Sequence, residues 1–153
     1  MTNVEDLTII YITSNETPPE WKKFHLEKLK EAIGLYPVIV VSREFDPELA
    51  ELGQMIIDSE PKSYSNIYYQ LLRATKMATT KYVAMAEDDT LYHPQHFTYF
   101  RPQDNEVAYN MSKWSLFTWR PEFSLKGRLT NAALIAPKEY LIDALEERFR
   151  VWP

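Results

Sequence analysis

Across residues 7–86 four short apolar runs alternate with three segments of helical period, an order that leaves few folds open. The runs are residues 7–13 (LTIIYIT), 38–41 (VIVV), 54–57 (QMII) and 82–86 (YVAMA). In the first, second and fourth both alternating sets of side chains are apolar, as in strands covered on two faces. Strand, helix, strand repeated in this way predicts a parallel, doubly wound α/β sheet with right-handed crossovers.

The segments between the runs carry helix signals. Residues 19–33 place Trp21, Phe24, Leu29 and Ile33 at helical spacing and read as a first helix turned toward the core. Asp46 and Pro47 read as an N-cap and first helical position of a short helix that ends at Gly53. A longer helix is expected from Ser63 or Ser65 to Ala78, with Ile67, Leu71, Ala74 and Ala78 along one face and Tyr68, Leu72 and Thr75 beside it. Gly34 and Gly53 are both expected as left-handed helix ends.

The run at 82–86 ends in three consecutive acids, Glu87, Asp88 and Asp89. Ligands bind open α/β sheets at the carboxyl ends of the strands, so these acids stand at the functional edge. Their mutual repulsion is about 1 kcal/mol per pair in water and about 4 kcal/mol at a half-buried site, which calls for a positive partner. Mg²⁺ or Mn²⁺ suits an all-oxygen set of one or two carboxylates completed by substrate phosphates. Strand alternation points Glu87 and Asp89 one way and Asp88 the other, making the first and third acids the candidate metal pair. The competing reading is a solvated acidic turn. His93 and His96 follow closely, but Pro94 between them breaks the spacing that would align them as further ligands.

The whole sequence narrows the classes. Its 153 residues suit one domain, and 45% hydrophobic and 14% aromatic content excludes a disordered chain. A formal charge of −5 argues against general nucleic-acid binding. With no cysteine, thiolate chemistry is excluded, and a reducing cytoplasmic location is compatible. The start has no signal-peptide pattern, and no apolar run is long enough to cross a bilayer. Only three glycines occur, so no glycine-rich phosphate cradle exists and a metal becomes the more natural phosphate partner.

The second half differs in composition. Between Tyr92 and Phe123 aromatic rings interleave with His93, His96, Arg101, Lys113 and Arg120. Residues 110–119 read as a half-exposed strand, residues 131–136 as a buried one, and Pro137 as the start of a final helix. One domain is expected, and the resemblance set out next implies residues 1–97 as its nucleotide-sugar part and 98–153 as a shortened acceptor-side part.

The order of elements through SYSNIYYQLLRATKMATTKYVAMAEDDTLYHP resembles the donor half of GT-A fold glycosyltransferases, especially the large family-two-like group. There a strand ends in Asp-x-Asp, often with proline downstream; here Glu87, Asp88, Asp89 and Pro94 stand in those places. Glu at the first position departs from the motif. The resemblance implies a Rossmann-like α/β fold with a mostly parallel central sheet flanked by helices. It implies metal on Asp89 and Glu87, Asp88 at the ribose, Thr13, Ser14 and Asn15 in the nucleotide loop, Ser42 near the base, and Ser65 and Tyr69 near base and diphosphate. Ser65 as an N-cap and Tyr69 as a core residue are the competing readings.

The implied reaction moves a sugar from a nucleoside-diphosphate donor to a hydroxyl acceptor with Mn²⁺ or Mg²⁺. The family's carboxylate base has no clear counterpart, which leaves Glu122, Glu146 and Glu147 as candidates. Trp114 and Trp119 are the expected acceptor contacts, because indole faces stack on sugar rings. A nucleotidyltransferase, a non-catalytic nucleotide- or carbohydrate-binding module and a structural α/β domain are the rivals.

Overall fold

Strand β1, Leu7–Ile12, is buried along its whole length, since it lies mid-sheet with helices on both faces. The computed structural model describes residues 4–152; residues 1–3 and 153, which the leader and chain-end readings include, lie outside the described residues. After β1 come α1 (Pro19–Ile33), β2 (Val38–Ser42), α2 (Pro47–Ala50), β3 (Gln54–Ile57), α3 (Tyr64–Met77) and β4 (Tyr82–Glu87). The second half holds α4 (Pro94–Thr98), β5 (Ala108–Tyr109), β6 (Trp114–Leu116), β7 (Phe123–Leu125), a 3₁₀ turn at Asn131–Ala133, β8 (Leu134–Pro137) and α5 (Lys138–Val151).

The six-stranded sheet has the order β3-β2-β1-β4-β8-β5. β1, β2, β3 and β4 pair in parallel, whereas β8 runs antiparallel to both β4 and β5. The strand expected at 131–136 is thus half 3₁₀ turn and half antiparallel strand. A separate hairpin, β6 with β7, replaces the single long strand expected at 110–119.

Alternation along β1 divides the core. Leu7, Ile9 and Tyr11 face a cluster with Leu26, Leu29 and Ile33 of α1, while Ile10 and Ile12 join Leu71 and Leu72 of α3 and Leu141 and Leu145 of α5. Each fully buried aliphatic side chain contributes about 1.5–3 kcal/mol relative to its exposed state, so β1 draws stability from two layers at once. Phe24, expected in the core, is 43% exposed. Trp21 is half-buried at the edge of the sheet, with its ring nitrogen engaged in the site described below.

Helix ends follow local chemistry. Asp46 accepts from the backbone N–H groups of Glu48 and Leu49, capping α2 as expected. Ser63, rather than Ser65, caps α3 through a bond from Asn66 N. Gly34 ends α1 at φ 54° and ψ −120°, a positive-φ conformation that suits glycine but is not the left-handed helical one expected. Gly53 has no such φ; a side-chain carbon there would come within 2.1 Å of the Val38 carbonyl oxygen, so close strand approach selects this glycine.

Candidate functional site

β1 and β4 are parallel neighbours, yet the chain leaves β1 toward β2 on one side and returns through β4 on the other. Such a switch in winding opens a crevice beyond the carboxyl ends of the two strands. Residues of both ends meet there: the Thr13 hydroxyl donates to Asp88 Oδ2 at 2.6 Å. The Thr13 hydroxyl also accepts from Asn15 N at 3.0 Å, which shapes the loop after β1.

Helix α1 holds the acidic turn from below. Trp21 Nε1 donates to the Asp88 carbonyl at 2.7 Å, and His25 Nε2 lies 2.8 Å from the Thr90 carbonyl. That contact makes Nε2 the protonated nitrogen and leaves Nδ1 facing the Tyr11 hydroxyl at 3.5 Å. Trp21 and His25 are four residues apart, hence on one helix face. From the other side the Tyr92 hydroxyl accepts from Glu87 N at 3.0 Å and donates to the Ala132 carbonyl at 2.8 Å. The backbone of the acids is therefore fixed while all three residues border the space beyond the strand ends.

That space is a cleft of about 630 Å³, lined by Thr13, Ser14, Glu87, Asp88 and Asp89 on one side and by Arg43, Lys62 and the first turns of α3 on the other. Arg43 and Lys62 put cations opposite the acids. Lys62 pairs with Glu16, while Arg43 donates to Asp58 at 3.1 Å and to the Glu60 carbonyl. Asp58 is 1% exposed and takes further bonds from Asn66 at 2.8 Å, Gln70 at 2.6 Å and Arg73 at 3.2 Å. Burial alone would raise its carboxyl pKa, but the Asn66 and Gln70 hydrogen bonds and Arg43 hold it below the usual value. Arg43, Lys62 and this Asp58 hub are functional candidates to which the sequence reading gave no role. They lie at the carboxyl ends of β2 and β3, so the edge rule that selected the acids was the available signal.

Burial, then the charges of Asp89 and Asp88, push Glu87 up to about 7, with Lys113 opposing. Three carboxylates drawn together at one strand end form a site in want of positive charge. Among the described residues no group of three His, Asp or Glu side chains gathers to hold a metal by protein ligands alone. Glu87 and Asp89 nevertheless fit a hard cation that takes one or two carboxylates and leaves its other positions to phosphate and water.

Other expected residues lie elsewhere. Ser42 is fully buried; its hydroxyl donates to the Glu44 carbonyl at 2.7 Å and accepts from Asn15 Nδ2 at 2.8 Å. Asn15, at φ of 62°, also accepts from Arg43 N at 2.7 Å, so Asn15 and Ser42 fasten the β1 loop to the end of β2. Ser65 is exposed on α3. Tyr69 stacks on Phe149 of α5 with ring centroids 3.6 Å apart, outside the cleft. Glu122 pairs with Arg120, Glu146 with Lys76 and Glu147 with Arg150, all at exposed positions that line neither this cleft nor the next. Trp114 and Trp119 are exposed on the β6–β7 hairpin.

A second cleft, of about 860 Å³, opens past Thr90 and Tyr92, with Tyr99, Tyr109, Asn110 and His96 in its wall. Asn110 Oδ1 accepts from Ser112 N, which directs its amide nitrogen toward His96 Nδ1 at 3.2 Å. The proton of the neutral ring is then on His96 Nε2, a buried atom without a hydrogen-bond partner among the described residues. Burial pushes the His96 pKa down to about 4, so the ring is neutral at pH 7.

No protein-family model matches the sequence, and no curated protein matches it. Solved structures do match in fold. A nucleotidyl transferase from Methanothermobacter (Mth528) superposes with a TM-score of 0.60 at 13% identity, over 92% of this chain and 76% of that one. CMP:2-keto-3-deoxy-manno-octonic acid synthetase complexed with CTP gives 0.53 at 14% identity, over 97% and 78%. The glycosyltransferase GlyE of Streptococcus pneumoniae gives 0.56 at 10% identity, over 95% of this chain but 37% of that one. The chain shares the Rossmann-like α/β fold of these structures.

Proposed function

We propose that this chain is a nucleotide-utilising transferase that moves a sugar from a nucleoside-diphosphate donor to a hydroxyl acceptor. The observation that carries the reading is the acidic turn at the β1/β4 switch point, faced across one cleft by Arg43 and Lys62. Glu87 and Asp89 would hold Mn²⁺ or Mg²⁺, which would supply Lewis-acid neutralisation of charge on a diphosphate leaving group. Arg43, anchored by Asp58, and Lys62 bind the phosphates from the opposite wall, and the α3 N-terminus adds backbone N–H donors. Asp88, held by Thr13, accepts from a ribose hydroxyl. Tyr99 and Tyr109, in the wall of the second cleft, would contact an acceptor sugar there.

A nucleotidyl transfer is the second reading. It is favoured by the length match, because the chain spans about three quarters of Mth528 and of the CTP-bound synthetase. The two differ in their products: sugar transfer releases a nucleoside diphosphate, whereas nucleotidyl transfer from a triphosphate releases pyrophosphate.

Calorimetry with Mn²⁺ and, in turn, uridine diphosphate, guanosine diphosphate and cytidine triphosphate tests the donor site, with Asp89→Ala alongside. Metal-dependent binding that Asp89→Ala abolishes is expected. Nucleotide binding that ignores both the metal and the substitution returns the acids to a solvated turn. With the bound nucleotide known, product analysis separates the two transfers, and binding without turnover marks a non-catalytic module.

A further inference from the structure

The hairpin of β6 and β7 is a sheet of its own, outside the six-stranded one. Trp114 pairs with Leu125 and Leu116 with Phe123, with Ser115 opposite Ser124 between them. Side chains alternate along a strand, so the four apolar residues share one face and the serines take the other. On that face Trp114 is 53% exposed, Leu116 67%, Phe123 66% and Leu125 58%, where a packed sheet face would be near zero. Trp114 and Phe123 meet edge to face at 5.6 Å, so the patch is continuous. Trp119 and Leu129 extend the exposed apolar surface. A two-stranded hairpin is marginal by itself in water, and an exposed patch of this kind marks a contact surface.

Charge identifies the contact. Lys113, Arg120, Lys126 and Arg128 belong to this segment, against one acid, Glu122, which Arg120 pairs at 2.9 Å; Lys113 is turned to the Thr130 hydroxyl at 2.8 Å, so Lys126 and Arg128 are the cations left for a partner. The chain as a whole carries −5, so the hairpin reverses the sign of the protein that bears it.

We propose that the β6–β7 hairpin docks the chain onto an anionic phospholipid bilayer. The rings and leucines of the apolar face enter the boundary between headgroups and acyl chains, and Lys126 and Arg128, which no acid of the hairpin pairs, meet lipid phosphates. A second copy on the same face would set cations against cations, which opposes self-association. Each cation at such a surface raises partitioning about fivefold. Docking is independent of what the nucleotide cleft does.

Sedimentation of the full chain with phosphatidylcholine vesicles and with mixed phosphatidylcholine and phosphatidylglycerol vesicles tests this. The protein is expected to pellet with the anionic vesicles, to be released by salt, and to stay in solution with the neutral ones. Lys126→Ala with Arg128→Ala lowers the partition coefficient about thirtyfold. Leu116→Ser with Phe123→Ser also lowers it, with unchanged circular dichroism and thermal midpoint because both side chains are exposed. Equal pelleting with both vesicle types, or with neither, overturns the proposal. A concentration-dependent dimer that the serine pair dissolves assigns the face to a second copy and overturns it too.

Discussion

The indole nitrogen of Trp21 donates to the carbonyl oxygen of Asp88 at 2.7 Å, which makes the first helix a support for the acidic turn 67 residues later. His25 repeats the contact one turn on, at the Thr90 carbonyl. The helix presents side-chain donors to backbone acceptors, so the carboxylates are left for a ligand.

Trp21→Phe keeps the ring packing and removes the donor. A part-buried carbonyl that loses its bond costs about 1 kcal/mol. We expect a loss of that size in urea unfolding. On the metal reading, Mn²⁺-dependent nucleotide affinity in calorimetry falls by more than stability does, because the turn is released while the fold persists. A nucleotide affinity that does not change would separate the turn's support from its binding role.

Asp58→Asn leaves four donors around a side chain that accepts at one oxygen. Breaking a buried ion pair costs about 3 kcal/mol, and denaturant unfolding at pH 7 is expected to register it. The Asp58 pKa is lowered in the native state, so its contribution is present above the unfolded pKa and is lost as pH falls through the folded one. The acid limb of the parent's stability profile should therefore be shallower in the variant. Arg43 also loses its anchor, and phosphate affinity is expected to fall.

Glu87 has the opposite sign. Its native value of about 7 lies above the ordinary 4.5, so between those values the native state keeps a proton that the unfolded chain has released. Stability then declines as pH rises through that interval, by about 3 kcal/mol in all. Glu87→Gln is expected to remove this decline, as read from unfolding free energies at pH 5, 6, 7 and 8 (roughly the span of the shift). On the metal reading, Mn²⁺ binding to the parent near pH 7 releases a proton, visible as a buffer-dependent calorimetric heat that the variant lacks.

Gly53→Ala and Gly34→Ala separate two reasons for glycine. At Gly53 the new carbon meets the Val38 carbonyl at 2.1 Å, so β2 and β3 must part and a cost of about 2 kcal/mol or more is expected. Gly34 has open space but a positive φ, and about 1 kcal/mol is expected there. Thermal midpoints of the two variants order them.

The bounds of α1 and β3 and the carboxyl-edge position of Glu87, Asp88 and Asp89 were legible in the sequence, because apolar period and chain order alone determine them. The β6–β7 hairpin was not: alternation over 110–119 suits a half-exposed strand, and local period does not say where such a strand stops or that it pairs with residues 123–125. The antiparallel direction of β8 was hidden for a related reason, since a buried strand has the same composition in either direction. Tyr69 against Phe149, Ser42 beneath Asn15, and Trp21 under Asp88 were decided only by tertiary structure. Each depends on which distant element a side chain meets, and local period carries no information about that. The same holds for Arg43 and Asp58, fifteen residues apart on adjacent strand ends, whose ion pair exists because β2 and β3 run parallel in register.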